Sequence, residues 1–441
     1  MRKNPQKLKA ECQYSYPSVK IPDHYPLEEL ECKEDSEAHV RGRILRCEHD
    51  HVCLGDETGK MEFYWATQPK GKINVGDILE LHVSRKLDGR RNIKSYHVLV
   101  SAQCSFKSGD WDEFHGTGKK FTLLKQRSEI LRDIRIFFEM NEYIEIETPN
   151  LNSIRGFETN IEQFKTYLSS LSGETRYYLA TSPELYMKRL LSIGFERIFQ
   201  MGPCFRNGEV SRLHSPEFTM LEWYRVYSDY AFIMREAETL VKTIFSNARR
   251  RGTLPESLNS VVDCKCWPII TVSEAFNQWA GIDLKLCSTN DIFYRRLREI
   301  GFVSANVSDD WEDLFNKVLM EKIEPELEKM GAVFLVEYPI QMAAMARPCD
   351  DDSNFAERIE LYINGIELAN GYTELNDPKE QRERFVKSRI AQKEVGVLDE
   401  KFLAQLEVGL PPAGGIALGV DRLVMLATGS TDLKQIISFG F

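Results

Sequence analysis

Apolar and polar residues alternate with a period of two over residues 39–45, 52–54, 61–65, 75–83 and 93–100, the pattern of half-buried strands. Turn signals separate them: Asp56 to Gly59 after the second run, and Asp88 with Gly89 before the last. Five short strands within about 65 residues fit a small barrel of the OB type; a β-module with no ligand fits equally. This domain is set at residues 36–107. Residues 1–35 are rich in Pro, Lys and Glu, lack periodicity and read as an arm. Ser108, Gly109, Gly116 and Gly118 make residues 108–120 a linker. Just beyond it the period becomes helical, with Leu124, Ile130, Leu131, Ile134, Phe137 and Phe138 on one stripe. Strands and helices then mix without βαβ regularity, which predicts an α+β domain over residues 119–441 built on an antiparallel sheet. Residues 246–354 carry little signal beyond helical stretches at 272–279 and 311–327, expected to wrap the core.

Composition narrows the class. The chain of 441 residues is 42% hydrophobic and 28% charged, ordinary for a folded protein. No apolar run approaches the ~20 residues of a membrane span, and the N-terminus lacks a signal-peptide core. The ten cysteines form no CxxC pair, so reduced thiols and a cytoplasmic location are expected. A formal charge of −10 disfavours binding that rests mainly on neutralising phosphates.

Four segments carry candidate chemistry. Asn364 and Gly365 between two alternating runs are a strong hairpin signal. A two-residue turn pairs Ile363 with Ile366, Tyr362 with Glu367 and Glu360 with Ala369. Glu360 and Glu367 then become diagonal neighbours roughly 7–8 Å apart. They are either two carboxylates around Mg²⁺ or two ordinary acids on a solvated face. Asn370 and Glu374 fall on the wrong parity to join them unless a bulge, with Gly371 as candidate, re-aims the strand. In the second segment, residues 200–206 and 217–224 read as strands around a polar loop. Phe218 and Glu222 share a face there, and Arg206, Arg212 and His214 either grip polyphosphate or are merely solvated. In the third, Gly415 and Gly419 allow close backbone approach, and Asp421 caps a short helix ending at Gly429. Arg422 in its first turn calls for an anion, either a ligand or an internal acid. In the fourth, Ser182 and Pro183 begin a helix whose first turn holds Glu184, where an acid suits the dipole.

Together and in this order, these segments resemble class II aminoacyl-tRNA synthetases. Residues 127–149 resemble motif 1, the segment from Phe205 to Phe218 motif 2, and the segment from Gly415 to Arg422 motif 3. The stretches at 182–189, 216–224 and 365–377 are similar to the lysine branch: lysyl-tRNA synthetases and, more closely, their paralogues, the elongation factor P–lysine ligases of the GenX/PoxA type. The resemblance implies a synthetase-type antiparallel sheet with flanking helices, preceded by the OB-like barrel, and a homodimer formed through motif 1.

It also implies roles. Arg206 would hold the α-phosphate and the substrate carboxylate, Phe218 would stack on adenine, and Arg422 would cover its other face and reach the terminal phosphate. His214 would lie near the polyphosphate tail. Glu360 and Glu367 would hold Mg²⁺. Glu184 and Asn370 would position the α-amino and carboxylate groups, and Glu222 and Glu374 would bind the ε-ammonium. In the lysine enzymes Glu usually follows Arg-Asn directly in motif 2; here Gly208 intervenes, and Glu209 takes the ATP-binding place. The implied reaction joins lysine or β-lysine to ATP as an adenylate, releasing pyrophosphate, and transfers the aminoacyl group to elongation factor P or to tRNA(Lys).

Three features favour the protein acceptor. The synthetase-like region is about as long as the compact ligases, Ala369 stands where lysyl-tRNA synthetases typically have Gly, and Gly55 stands where the anticodon barrel would carry a base-reading Gln. The barrel itself points to the tRNA enzyme, since the short ligases usually lack one. A synthetase-like binding protein without activation is the third reading.

Overall fold

The computed structural model describes residues 27–30, 37–56, 58–85, 89–102, 119–158, 160–171, 173–391 and 398–440. The arm expected at 1–35, apart from a helical turn at Leu27–Leu30, and the linker up to residue 118 lie outside the described residues. The chain divides into two compact units, residues 1–122 and 123–441.

The first unit holds β1 (Glu37–Cys47), β2 (His51–Gly55), β3 (Lys60–Trp65), β4 (Ile78–Arg85) and β5 (Arg91–Val100), one for each alternating run. They close into a barrel in the order β1-β2-β3-β5-β4, with β3 and β5 parallel at the closure. Alternation does the sorting: Val40, Ile44, Val52, Leu54, Phe63, Leu79 and Leu81 are fully buried in the barrel core.

In the second unit the strands are β6 (Ile144–Glu145), β7 (Leu151–Asn152), β8 (Lys165–Ser170), β9 (Gly173–Leu179), β10 (Arg197–Phe205), β11 (Glu217–Val226), β12 (Ile269–Thr271), β13 (Ala332–Pro339), β14 (Phe355–Ile363), β15 (Ile366–Thr373) and β16 (Ala413–Gly419). Eight of them form one sheet in the order β12-β13-β14-β15-β16-β11-β10-β6, antiparallel except at its two outermost pairs. The helices that matter below are α1 (Lys119–Met140), α2 (Glu184–Ser192), α3 (Tyr230–Arg250) and α4 (Val420–Thr428).

The apolar stripe predicted on α1 lands on the sheet. Phe138 stacks on Phe199 with ring centroids 4.5 Å apart and meets Trp223 edge-on at 5.3 Å. Ile233, Leu240, Val241, Ile244 and Phe245 of α3 complete the same core. The segment with little sequence signal builds a second core of its own. Its predicted helices appear at Val272–Ala275 and Trp311–Val318, each running on into a wider turn. They pack against Val333, Leu335 and Tyr338 of β13, whose Phe334 and Val336 face the first core. A strand buried on both faces explains the unbroken apolar run at 333–336.

The hairpin β14–β15 corrects one expected pairing. Asn364 and Gly365 take φ of 50° and 74°, and Ile363 pairs with Ile366 and Tyr362 with Glu367, as the turn dictates. Glu360, however, faces Asn370, and Leu361 faces Ala369, because the register slips between Leu361 and Tyr362. The bulge falls at Leu368, earlier than the candidate Gly371. Leu368 and Ala369 both turn into the core, which is what drives the slip. Gly371 has a different duty: a Cβ there would lie 2.6 Å from the Gly415 carbonyl oxygen, so the close approach of β15 and β16 excludes a side chain.

Candidate active site

The cleft lies on one face of the large sheet and encloses about 520 Å³. Its floor follows from β16. Ile416 and Leu418 enter the core, so Gly415, Ala417 and Gly419 face the other way and leave an open trough. Strand register then carries polar residues across it in rows. Glu222, Ala417, Asn370 and Glu360 stand side by side on β11, β16, β15 and β14, and Tyr224, Gly415 and Tyr372 form the next row. A Cβ on Gly415 would run into the Glu374 carboxylate and the Tyr224 ring, so this glycine makes room for both. Gly419 is under no such pressure, its nearest neighbour being Arg422 at 3.7 Å.

Of the residues singled out from the sequence, Glu184, Arg206, Glu209, His214, Phe218, Glu222, Glu367, Ala369, Asn370 and Arg422 line this cleft. Glu360 and Glu374 stand just behind the lining. Arg212 turns outward, contributing only its carbonyl to Leu433.

At one end of the cleft, Arg206 follows β10 and lies 5.3 Å over the Phe218 ring. Its Nε is buried with no hydrogen-bond partner among the described residues, an unspent donor in a cleft. Gly208 has φ of 82°, a conformation that suits glycine, and the turn it makes leaves Glu209 lining the cleft. Arg422 donates to the backbone oxygens of Glu367 at 2.6 Å and Leu213 at 3.3 Å, and to His214 Nε2 at 2.7 Å. His214 accepts there and is therefore neutral; burial and the Arg422 charge both lower its pKa. Asp421 does not cap α4, as expected from the sequence. Gly419 occupies that place, and Asp421 instead pairs with Arg127 at 2.6 Å and accepts from the Thr219 amide at 2.8 Å. Gly429 ends the helix at φ 67°, as expected.

The acidic hairpin pair is asymmetric. Glu360 accepts from Tyr338 at 2.5 Å, Tyr362 at 2.8 Å, Arg358 at 2.6 Å and Asn370 at 3.4 Å, so each oxygen already has two donors. The Glu367 carboxylate is more open, 3.7 Å from Arg422. Desolvation, then repulsion from Glu360, pushes its pKa up to about 7. Hard oxygens that repel one another beside a cluster of arginines fit a divalent cation shared with phosphates, with Glu367 the accessible ligand and Glu360 behind it.

At the opposite end lies a nest of carboxylates. Glu222 is 2% exposed and accepts from Tyr224 at 2.9 Å; burial and then Glu184 raise its pKa well above the carboxylate range. Glu184, in the first turn of α2 as predicted, accepts from Tyr372 and, at 2.6 Å, from Lys188. Glu374 is 1% exposed and ion-paired with the same Lys188. Lys188, Arg358, Tyr224, Tyr372 and Glu158 are the site residues that sequence reasoning missed. Arg358 sits two residues from Glu360 on its own strand, and Lys188 one helical turn beyond Glu184, so periodicity could have found both. Glu158, on the loop before β8, gave no such signal; Thr181 donates to it at 2.7 Å.

An antiparallel sheet with a motif-bearing trough of this kind is that of a class II synthetase domain. The match is explicit: residues 117–441 fit the family described as tRNA synthetases class II (D, K and N), and the chain belongs to that family. Similar proteins include a lysine–tRNA ligase of Pelotomaculum thermopropionicum, 34% identical over 72% of this chain and 63% of that protein. A lysine–tRNA ligase of Helicobacter pylori is 34% identical over 88% of the chain and 76% of its own length. The elongation factor P–(R)-β-lysine ligase of Avibacterium paragallinarum is 36% identical over 72% of the chain and 94% of its own length. Among the described residues, no helix is long and apolar enough to cross a membrane.

Proposed function

We propose that this protein is an ATP-dependent, AMP-forming lysine ligase that activates lysine or β-lysine and passes it to a lysine side chain of elongation factor P. The observation that carries the reading is the polarity of one cleft: arginines and an aromatic ring at one end, buried carboxylates at the other. The first suits a nucleotide triphosphate, the second a cationic side chain.

The chain's residues divide the work. Arg206 meets the α-phosphate with its unspent Nε and neutralises charge as the substrate carboxylate attacks phosphorus. Arg422, braced by two carbonyls and His214, holds the phosphate tail, and Phe218 takes the adenine. Glu184 and Asn370 orient the α-amino and carboxylate groups, and Glu222, with Glu374 behind it, receives the ε-ammonium. A carboxylate is already nucleophilic, so positioning and charge stabilisation suffice for this step. Mg²⁺, held by Glu367 with Glu360 in support, would neutralise charge on the phosphates.

Two observations favour the protein acceptor. Ala369 borders the cleft beside Asn370, and its methyl, packed into the core with Leu368, sets the course of the strand along the amino-acid pocket. On the barrel, a Cβ on Gly55 would lie 2.6 Å from Leu45 Cδ1, so Leu45 fills the place from which a base-reading Gln would project. The second reading, charging of tRNA(Lys), draws on the barrel itself and on Tyr64, which shares the barrel surface with His51 at a ring distance of 5.5 Å. A homodimer accords with Ile136, Met140, Ile144 and Leu151, all exposed on and after α1.

ATP–pyrophosphate exchange with lysine and β-lysine tests the activation step; exchange with neither rejects it. Offering elongation factor P and tRNA(Lys) together tests the acceptor, and label found only on tRNA overturns our preference.

A further inference from the structure

The carboxylate nest contains a cation that the proposed substrate contacts leave unused. Lys188 is 1% exposed, a burial that an unpaired ammonium does not tolerate. Its Nζ donates to Glu184 Oε1 at 2.6 Å and pairs with Glu374 Oε2. Met345 Sδ at 3.8 Å and the Tyr372 ring at 5.1 Å enclose it. One resident ammonium thus serves two of the three acids, while Glu222 has the Tyr224 hydroxyl. Carboxylates this close repel, and without a cation they relieve the repulsion by taking up protons. A protonated acid holds an ammonium far less strongly than a carboxylate does.

We infer that Lys188 is a positioning residue for amino-acid selection: its ammonium, held between Glu184 and Glu374, fixes the two carboxyl groups in place and offsets their mutual repulsion, so that the pocket meets the substrate's ammonium groups with charge. The inference deepens the lysine reading above and rests on it.

The electrostatics agree with the geometry. Burial lifts Glu374 to about 8, and the opposing pull comes from Lys188. Lys188 is itself held above the ordinary lysine value by Glu184 and Glu374, against burial. The groups facing this cluster are Glu222 and Tyr224 from β11, Tyr372 from β15, and Glu158, whose charge reaches Glu222. Arg358, opposite Tyr372 in the sheet, and Arg206, whose charge reaches Glu158, are the other described cations nearby, but it is Lys188 that bonds Glu184 and pairs with Glu374. The bland alternative is that Lys188 merely neutralises Glu374 as a structural acid. That role would cost stability without making lysine binding depend on pH.

The test uses the full chain and lysine-dependent ATP–pyrophosphate exchange from about pH 6.5 to about 8.5, where the substrate's ε-ammonium stays charged. Lys188→Met is expected to raise KM for lysine at least ~10-fold at neutral pH, the equivalent of about one pKa unit, with the excess shrinking as pH rises. KM for ATP should stay within about twofold, and Lys188→Arg, which keeps the charge in a bulkier side chain, should retain more of the lysine affinity than Lys188→Met. A KM increase that is the same at every pH, or is shared by ATP, overturns the inference, as does an unchanged KM. Should Lys188→Met fail to fold, the double variant Lys188→Met/Glu374→Gln removes both charges of the pair. Its KM for lysine should stay raised at every pH, because Glu374→Gln leaves no titrating group at that position, and a KM excess that still shrinks as pH rises refutes the role. Absence of lysine-dependent exchange in the wild type would instead defeat the lysine reading itself.

Discussion

Replacing Glu222 by Gln separates substrate recognition from folding. The side chain is 2% exposed, and its one described hydrogen bond, from the Tyr224 hydroxyl, survives because an amide oxygen also accepts. What is lost is a charge facing the proposed ε-ammonium. Removing one partner of a buried charge pair costs about 2–5 kcal/mol, or about 30- to 4,000-fold in kcat/KM. Glu184 and Glu374 remain, so the expected loss lies in the lower half of that range, about 100-fold for lysine-dependent exchange. ATP binding, set by Arg206, Phe218 and Arg422, should be nearly unchanged. Stability moves the other way. The folded-state pKa of Glu222 is raised, so its contribution to stability is present below the unfolded value and lost as pH rises through the folded one. Gln carries no such dependence, and the variant's Tm should match or exceed that of the wild type, by more at pH 8 than at pH 5. Lysine-dependent exchange within about threefold of wild type would show that the ammonium site lies elsewhere.

Other perturbations probe the remaining parts. Arg206→Ala should lower kcat for exchange by about 10²–10³-fold, since its unspent donor faces the developing charge; a change in KM alone would contradict that role. Gly415→Ala forces a methyl against Glu374 and Tyr224, and should cost about 1–3 kcal/mol in chemical denaturation together with lysine affinity. Asp421→Ala strands the Arg127 guanidinium, paired at 2.6 Å, and should destabilise the chain by about 3–5 kcal/mol, read from the urea midpoint. Ala369→Gly removes a core methyl behind the pocket wall and should shift the exchange preference from β-lysine toward lysine; identical ratios would show that this packing does not reach the pocket.

Local chemistry was open to reading in the chain itself. The alternating runs became the five barrel strands, the stripe on α1 became a packed face, and Asn364 with Gly365 made the turn they promise. Each depends on residues close in sequence, where periodicity and backbone preference suffice. The candidate site was legible for the same reason: its motifs are short, and strand parity sends their functional residues to one face. What only the tertiary structure decided is how separate segments meet. The bulge at Leu368 arises because the core accepts both Leu368 and Ala369, a packing outcome that alternation alone cannot foresee. The same holds for Asp421, drawn from its capping role by Arg127 and Thr219, partners more than 200 residues away. It also holds for Lys188, whose meaning depends on Glu374 across the fold. Long-range charge partners leave no periodic trace, because burial and proximity, the two things that set their energy, exist only once the chain has closed on itself.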